Sequence, residues 1–191
     1  MSIDLTEMSS KLEKLDEMID KLDSIVKESN PAADLPQAVG LIRNCQLEML
    51  DMFHFLDSNN IEYWLEGKTL LAAWRNGQFL PWDTFAHIGM LESTWIELQE
   101  SGILDRGGLK IEYDMLTSQK ESVRGSLVPQ LHVRKWSVYS EIAISGNGMS
   151  LSSNQIWPLG EMSFEEGKAP TPKDVIAMLK GEFGDNWKKV L

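Results

Sequence analysis

Cysteine is nearly absent from this chain. Cys45 is the one cysteine among 191 residues, which excludes an intrachain disulfide and any zinc site built from cysteines of this chain alone. Long apolar runs are missing as well: no stretch of about eighteen apolar residues occurs, so the sequence predicts no membrane-spanning helix. The amino-terminal residues are acidic and lack the apolar core of a signal peptide. We therefore expect a cytoplasmic protein.

Positive charge is also scarce. Lysine and arginine number 18 against 29 aspartates and glutamates, which gives a formal net charge of −11. Because binding to nucleic acid or to anionic lipid requires clustered Lys and Arg, this balance argues against both kinds of partner. The hydrophobic content of 42% is ordinary for a soluble globular protein. The length suits one domain with its own core and an appendage.

The first thirty residues form that appendage. Their apolar positions alternate spacings of three and four, as in the seam of a heptad repeat: Leu5, Met8, Leu12, Leu15, Ile19, Leu22 and Val26. So short a repeat fits equally a helix packed on its own domain and a coiled coil that joins copies of the chain or binds a protein partner. Pro31 ends the helix because its ring cannot continue the backbone ladder. We therefore divide the chain into a helix over residues 1–30 and a domain over residues 31–191.

The domain interleaves helical and strand patterns. Helices are predicted from Asp34 to Leu56, Gly67 to Arg75, Leu91 to Gly102 and Pro172 to Lys180. Strands are predicted at Ile61–Leu65, Ala86–Met90, Leu109–Leu116 and Ser137–Ile144. In the first of these helices, one face should enter the core through Ile42, Cys45, Met49, Met52, Phe53 and Leu56. Because strands and helices do not alternate strictly, the pattern predicts an α+β fold with a small mixed sheet flanked by helices.

One stretch has the residue types that phosphate chemistry needs. Gly67 and Thr69 open a predicted helix, and Asp83 precedes the next strand. Free N–H groups and the positive dipole end at a helix N-terminus favour a phosphate there. Acidic residues spaced by two on a strand point to one face and can share a divalent metal ion. A Gly-x-Thr turn is also a common helix start without any ligand.

The block from Tyr63 to Asp83, continued by Ile88-Gly89-Met90, resembles the signature of the LicD family, which includes the fukutin group. A second block resembles the family's carboxy-terminal part: Trp157 to Glu165, then Pro170 and Phe183 to Trp187. The resemblance implies a nucleotidyltransferase fold. It also implies transfer of phosphocholine or an alditol phosphate from a CDP-activated donor to a cell-surface glycan, with Mg²⁺ or Mn²⁺ as cofactor.

The resemblance assigns roles to seven residues. The residues that bind the CDP-activated donor would be Gly67, Lys68, Thr69 and Arg75. The catalytic residues would be Asp83 and Glu141, and the metal ligands Asp83, His87 and Glu141. Glu141, on the last predicted strand, would be a ligand or the base that deprotonates the acceptor hydroxyl.

The chain departs from the family pattern where the metal would bind. Phe85 and His87 align with the second and third aspartates of the family motif, and Lys68 replaces a glycine. Phe85 cannot coordinate a metal, and imidazole is a poor ligand for magnesium, which prefers oxygen. The sequence thus leaves two readings: a diverged phosphotransferase, or a catalytically inactive pseudoenzyme that acts as a binding or regulatory partner through its fold and N-terminal helix. His132 is predicted to be a structural residue at a strand edge.

Overall fold

The computed structural model describes residues 14, 16–24, 35–119 and 127–190. Within these residues the chain has the predicted α+β fold, with a mixed seven-stranded sheet flanked by helices and a separate two-stranded hairpin. The helices are α1 (residues 16–24), α2 (Leu35–Ser58), α3 (Gly67–Asn76), α4 (Glu92–Ser101), α5 (Ile103–Arg106), α6 (Ser153–Ile156) and α7 (Val175–Phe183), with a 3-10 turn at Trp187–Lys189. The strands are β1 (Trp64–Leu65), β2 (Phe85–Leu91), β3 (Leu109–Glu112), β4 (Met115–Ser118), β5 (Gln130–Tyr139), β6 (Ile142–Ser145), β7 (Ser150–Ser152), β8 (Gly160–Phe164) and β9 (Gly167–Thr171).

The two central strands of the sheet set the geometry of the site. The order is β1-β2-β5-β4-β3, with β6 paired to the far half of β5 and β7 paired to β6. Strands β2 and β5 run parallel, with His87 opposite His132 and Gly89 opposite Arg134. Since side chains alternate between the two faces of a strand, these paired residues and Phe85 lie on one face.

The opposite face of β2 and β5 belongs to the hydrophobic core. Ala86, Ile88, Leu131 and Val133 are buried there. All six predicted core positions of α2 are buried, as expected. Burying each large apolar side chain contributes roughly 1.5–3 kcal/mol relative to leaving it exposed, so this layer holds the central strands firmly. In the part of the chain that the structure describes, no helix is long and apolar enough to cross a membrane.

Two predicted strands are wrong because each is interrupted by a turn. The segment Leu109–Leu116 contains parts of β3 and β4, which reverse direction at Tyr113, whose φ is 56°. The segment Ser137–Ile144 contains the end of β5, a turn at Ser140 with φ of 59°, and the start of β6. Neither turn has glycine, the residue that usually occupies a left-handed position, so the alternating pattern runs through both without a signal.

Two elements also begin three residues later than predicted. The strand expected at Ile61–Leu65 is reduced to Trp64–Leu65. The last long helix begins at Val175 rather than Pro172, because the Asp174 side chain accepts a hydrogen bond from the Ala177 N–H and caps it there.

The N-terminal helix contacts its own domain over the residues that are described. Leu22 is buried against Ala38 and Ile42 of α2, and the Lys21 ammonium lies 5.3 Å from the centroid of the Trp82 ring. Ile19 remains 37% exposed. The other heptad positions, Leu5, Met8, Leu12, Leu15 and Val26, and the expected helix end at Pro31 lie outside the described residues. Self-association through residues 1–30 therefore stays a prediction.

Candidate functional site

A cleft of about 410 Å³ opens on the face of the sheet where β2 and β5 lie side by side. Its lining includes Glu66, His87, His132, Arg134, Lys135 and Asn147. Glu66 immediately precedes α3, so the N-terminus of that helix borders the cleft. The start of α3 and strand β2, which carries Phe85 and His87, therefore meet at this cleft.

Close packing fixes the start of α3 against β2. Gly67 has a φ of 51°, and a Cβ on it would lie 3.3 Å from Cγ of His87, so both the backbone angle and the contact favour glycine there. The Thr69 hydroxyl is buried and accepts a hydrogen bond of 2.9 Å from the His87 N–H. Gly67, Thr69 and His87 are thus brought together, while Lys68 between them is exposed.

Two rings, His87 and His132, line the cleft, and Phe85 packs against both of them. Phe85 stacks on His132 at a centroid distance of 4.5 Å, and His87 meets both rings edge-on at 5.3 and 5.6 Å. Burial lowers the pKa of His87 to about 4, helped by His132 and Arg134, and burial also lowers the pKa of His132. Both imidazoles are therefore neutral at physiological pH, and the cleft presents uncharged ring nitrogens in place of carboxylate oxygens.

His132 was predicted to sit at a strand edge, and this is wrong. Its strand β5 pairs with β2 on one side and with β4 on the other, and His132 has a partner in each. The pairing of β2 with β5 joins segments far apart in sequence, so local patterning could not place His132 beside His87. The available signal was the alternation of Gln130, His132 and Arg134, which marks one polar face of a strand.

A buried carboxylate, Glu66, closes the inner end of the cleft. Its Oε1 accepts hydrogen bonds from the indole N–H groups of Trp64, at 2.9 Å, and Trp136, while its Oε2 lies 3.2 Å from Arg134 Nη1. Arg134 also donates two hydrogen bonds, of 2.6 and 2.9 Å, to Glu182 of α7. Burial raises the pKa of Glu66 to about 7, against the attraction of Arg134 and the two indole hydrogen bonds. Sequence reasoning missed this network because its members come from four separate elements.

Asp83 supports the loop that leads into β2. Its Oδ2 accepts a hydrogen bond of 3.0 Å from the Leu80 N–H, and its own N–H donates to the Leu80 carbonyl. Gln46 of α2 donates to the Leu80 carbonyl at 2.9 Å and holds the same loop from below. Burial raises the pKa of Asp83 to about 6, while Lys68 and Lys21 attract its charge and oppose that rise. This carboxylate is thus engaged in the backbone of its own turn.

Two of the predicted site residues lie away from the cleft. Glu141 is exposed in the turn between β5 and β6, not on a strand. Asp83 lies before β2 and Glu141 after β5, so the two residues flank opposite ends of a ten-residue strand that is roughly 30 Å long at about 3.3 Å per residue. Arg75 lies at the far end of α3, where it donates a hydrogen bond to the Lys188 carbonyl. The structure therefore does not gather Asp83, His87 and Glu141 into one site.

The residues present do not fit a magnesium site. Magnesium requires oxygen ligands in near-octahedral geometry. Phe85 and His87 offer no oxygen, Asp83 is bound to its own loop, and Glu66 is held by two indoles and a guanidinium. Among residues 14, 16–24, 35–119 and 127–190, no three His, Cys, Asp or Glu side chains group as a metal site.

Comparison with known proteins places this fold in a family. The family model described as "LicD/FKTN/FKRP, nucleotidyltransferase domain" matches residues 60–174, more than half of the chain. The chain belongs to this family. It is also 40% identical, over 147 residues, to an uncharacterized protein of Rickettsia prowazekii (strain Madrid E). That similarity covers 74% of this chain and 54% of the relative, so the chain spans about half of the relative's length.

The matched region includes most of the cleft of this LicD-family chain. It runs from the residues before β1, through α3 and β2, to the loop before α7, and so includes Glu66, His87, His132 and Arg134. Glu182, which anchors Arg134 from α7, lies outside the match, as does α1. The family match therefore covers the strands and the helix that form the cleft, but it does not cover the neighbouring helices α1 and α7.

Proposed function

We propose that this protein is a catalytically inactive member of the LicD family that binds a CDP-type nucleotide and does not carry out magnesium-dependent phosphotransfer. The observation that carries the proposal is the packing of Phe85 against His87 and His132, the two rings that line the cleft. Two of these residues stand where the family motif has aspartates. A floor of neutral rings supplies neither the negative charge nor the oxygen donors that hold magnesium on a transferring phosphate.

The nucleotide part of the proposal rests on the start of α3. The first N–H groups of a helix have no partner within the helix and attract phosphate oxygens. Lys68 lies exposed at this N-terminus and adds a positive charge. Direct binding of phosphate by the helix and Lys68 requires no bridging cation, so the ligand would bind equally well with and without magnesium.

Calorimetry with CDP, in magnesium and in EDTA, tests this proposal. We expect binding of similar affinity in both, weakened several-fold by Lys68→Ala and unchanged by Lys110→Ala. Lys110 is a suitable control because it lies on β3, at the sheet edge farthest from β1 and α3. Incubation with CDP-choline and Mg²⁺ or Mn²⁺, with water or an added glycan as acceptor of the phosphocholine group, should release no CMP above the level of an Asp83→Ala variant. Metal-dependent CMP release that this substitution abolishes would show instead an active enzyme.

The second candidate function is a diverged phosphotransferase that moves phosphocholine or an alditol phosphate from a CDP-activated donor to a glycan. The docking of Gly67 and Thr69 against β2 favours it, because the donor side of the family signature keeps its glycine turn and buried hydroxyl. The CMP-release measurement separates the two functions. Localisation in the cytoplasm, and a protein partner or second copy at residues 1–30, likewise remain proposals.

A further inference from the structure

The cleft floor has the right donors for a cation of a different class from magnesium. We propose that His87 and His132 together bind one divalent transition-metal ion of the zinc class. This inference goes beyond the proposed function, since nothing in it requires a nucleotide or a transfer reaction. Its starting point is the mismatch already described: the positions that would carry carboxylates carry nitrogen donors instead.

The first argument is the distance between the two rings. His87 and His132 are directly opposite each other on parallel strands, and their ring centroids are 5.6 Å apart. Two imidazoles that share one tetrahedral zinc ion, with Zn–N bonds of about 2.0–2.1 Å, have centroids about 5 Å apart. The two centroids would therefore need to approach each other by only a few tenths of an ångström.

The second argument concerns which nitrogen of each ring faces a metal. His132 Nε2 lies 3.4 Å from Gln130 Oε1, a contact that orients the ring and leaves Nδ1 as the nitrogen for a ligand. A Cβ on Gly67 would lie 3.4 Å from Nδ1 of His87, so that edge of the ring packs on the helix start and Nε2 lies on the other edge. Metal-binding histidines in proteins are commonly oriented by such contacts to the nitrogen that does not bind.

The third argument is the charge around the rings. The carboxyl groups of Glu66, Glu182 and Asp114 lie near the rings, together with the cations Arg134, Lys135 and Lys68. These charges nearly cancel, so the site depends on its two nitrogen ligands rather than on surrounding negative charge. Glu66 also lines the cleft's inner end, with its buried Oε2 at 3.2 Å from Arg134 Nη1.

The remaining coordination positions would be taken by water. The cleft is open and has a volume of about 410 Å³, which leaves room for two water molecules on the metal. Phe85 covers one face of His132 and limits access from that side. A site with two protein ligands and solvent binds more weakly than a closed structural zinc site. We therefore expect binding that saturates reversibly and is removed by a chelator.

The chain offers a built-in control for the test, because it has three histidines and the third, His54, is exposed on α2. Full-length protein with ¹⁵N-labelled histidine is titrated with Zn²⁺ alone and followed by NMR of the ring nitrogens. We expect the signals of His87 and His132 to shift together at one equivalent while that of His54 does not. Co²⁺ should give visible absorption typical of nitrogen ligation, and Mg²⁺ should leave all three signals unchanged.

Calorimetry on variants completes the test. His87→Ala and His132→Ala should each weaken Zn²⁺ binding by at least about tenfold, and His54→Ala should change it by less than about twofold. Shifts confined to His54, a loss of binding only in His54→Ala, or zinc binding that leaves the two cleft histidines unaffected would each overturn the proposal. The titration of the unaltered protein gives this answer even where a variant fails to fold. Neither readout involves CDP, so failure here is distinguishable from failure of the proposed nucleotide binding.

Discussion

Single positions around Glu66 show how tightly the cleft is built. Gly89 lies opposite Arg134 in the central strand pair, and a Cβ on it would lie 2.2 Å from Trp64 Nε1 and 2.3 Å from Glu66 Oε1. Neither atom can retreat easily, because both are buried and hydrogen-bonded to each other. Only glycine at this position leaves room for the buried Glu66 carboxylate and the two indole N–H groups that donate to it.

We predict that Gly89→Ala lowers the free energy of unfolding by about 1–3 kcal/mol through overpacking. The matched control is Gly40→Ala. Gly40 lies inside α2, and no heavy atom comes within 4 Å of a Cβ built there. Alanine is the better helix former, so this change should stabilise the protein by about 0.5–1 kcal/mol. Urea unfolding of the three proteins measures both effects, and equal stability of Gly89→Ala and the unaltered chain would show that the strand has room to move.

Glu66 itself should make stability depend on pH. Burial raises its pKa from 4.5 to about 7, so the folded protein binds the proton more tightly than the unfolded chain does. The stability that this group contributes is therefore complete below pH 4.5 and is lost as the pH rises through about 7. Glu66→Gln removes the titration, because the amide stays neutral while its oxygen can still accept from the indoles.

The measurement for this second prediction is the difference in unfolding free energy between Glu66→Gln and the unaltered protein. A pKa shift of one unit corresponds to 1.36 kcal/mol. Between pH 4.5 and pH 7, the unaltered protein should therefore lose roughly 2–3 kcal/mol of unfolding free energy relative to Glu66→Gln. Taking this difference removes the contributions of other titrating groups to the pH dependence. One of them is His87, whose lowered pKa makes stability rise with pH. A difference that is flat across this range contradicts a buried, disfavoured carboxylate at Glu66.

At the scale of elements, α1 lies over the loop that carries the altered motif. Leu22 packs on α2, and Lys21 lies over Trp82, next to Asp83. We predict that Leu22→Ala loosens this helix by about 2 kcal/mol, and so accelerates hydrogen exchange of the amides in residues 16–24 by about thirtyfold. Ile19→Ala in the same helix is the control, because Ile19 is 37% exposed and should change the exchange only a few-fold.

Light scattering on the same variants distinguishes packing from association. With α1 packed on its own domain, Leu22→Ala leaves the mass unchanged. A fall in mass in Leu22→Ala would favour the alternative reading of the heptad pattern, a coiled coil between chains. The two outcomes differ because the same leucine cannot cover Ile42 of its own chain and fill the seam of a dimer at once.

The elements also show where sequence reasoning succeeds and where it stops. The long helices could be predicted because their apolar periodicity and their end signals, such as the left-handed Gly77 after α3, are local. The turns at Tyr113 and Ser140 could not, because these residues adopt left-handed angles without the usual sequence markers. In the site, Gly67 and Thr69 were found through the family signature. The pairing of His87 with His132 depends on strand register, and the bond from Arg134 to Glu182 joins residues 48 apart, so neither has a local signal.

At the scale of the whole molecule, the proposed function separates the family scaffold from the family chemistry. The strand pair, the glycine turn of α3 and the cleft are all present, and the side chains at two motif positions differ. A fold can lose one chemistry through substitutions at the site while the core that supports it remains. If only side chains were lost, then restoring carboxylates should restore the affinity for a hard cation.

We predict that Phe85→Asp combined with His87→Asp gives this chain an affinity for Mg²⁺ and Mn²⁺ that the unaltered protein lacks. Residues 85 and 87 lie on the same face of β2, about 6.6–7 Å apart along the strand, a separation that two carboxylates can span to share one ion. A ligand that binds only the folded state stabilises it by about 2.7 kcal/mol at a hundred times its dissociation constant. The unfolding temperature of the double variant should therefore rise with added Mg²⁺ or Mn²⁺, while that of the matched Phe85→Asn, His87→Asn variant stays constant. If the double aspartate variant folds but its unfolding temperature responds to neither ion, then other residues must also prevent metal binding. The guanidinium of Arg134 and the hydrogen bond of Asp83 to its own loop would be the causes to examine.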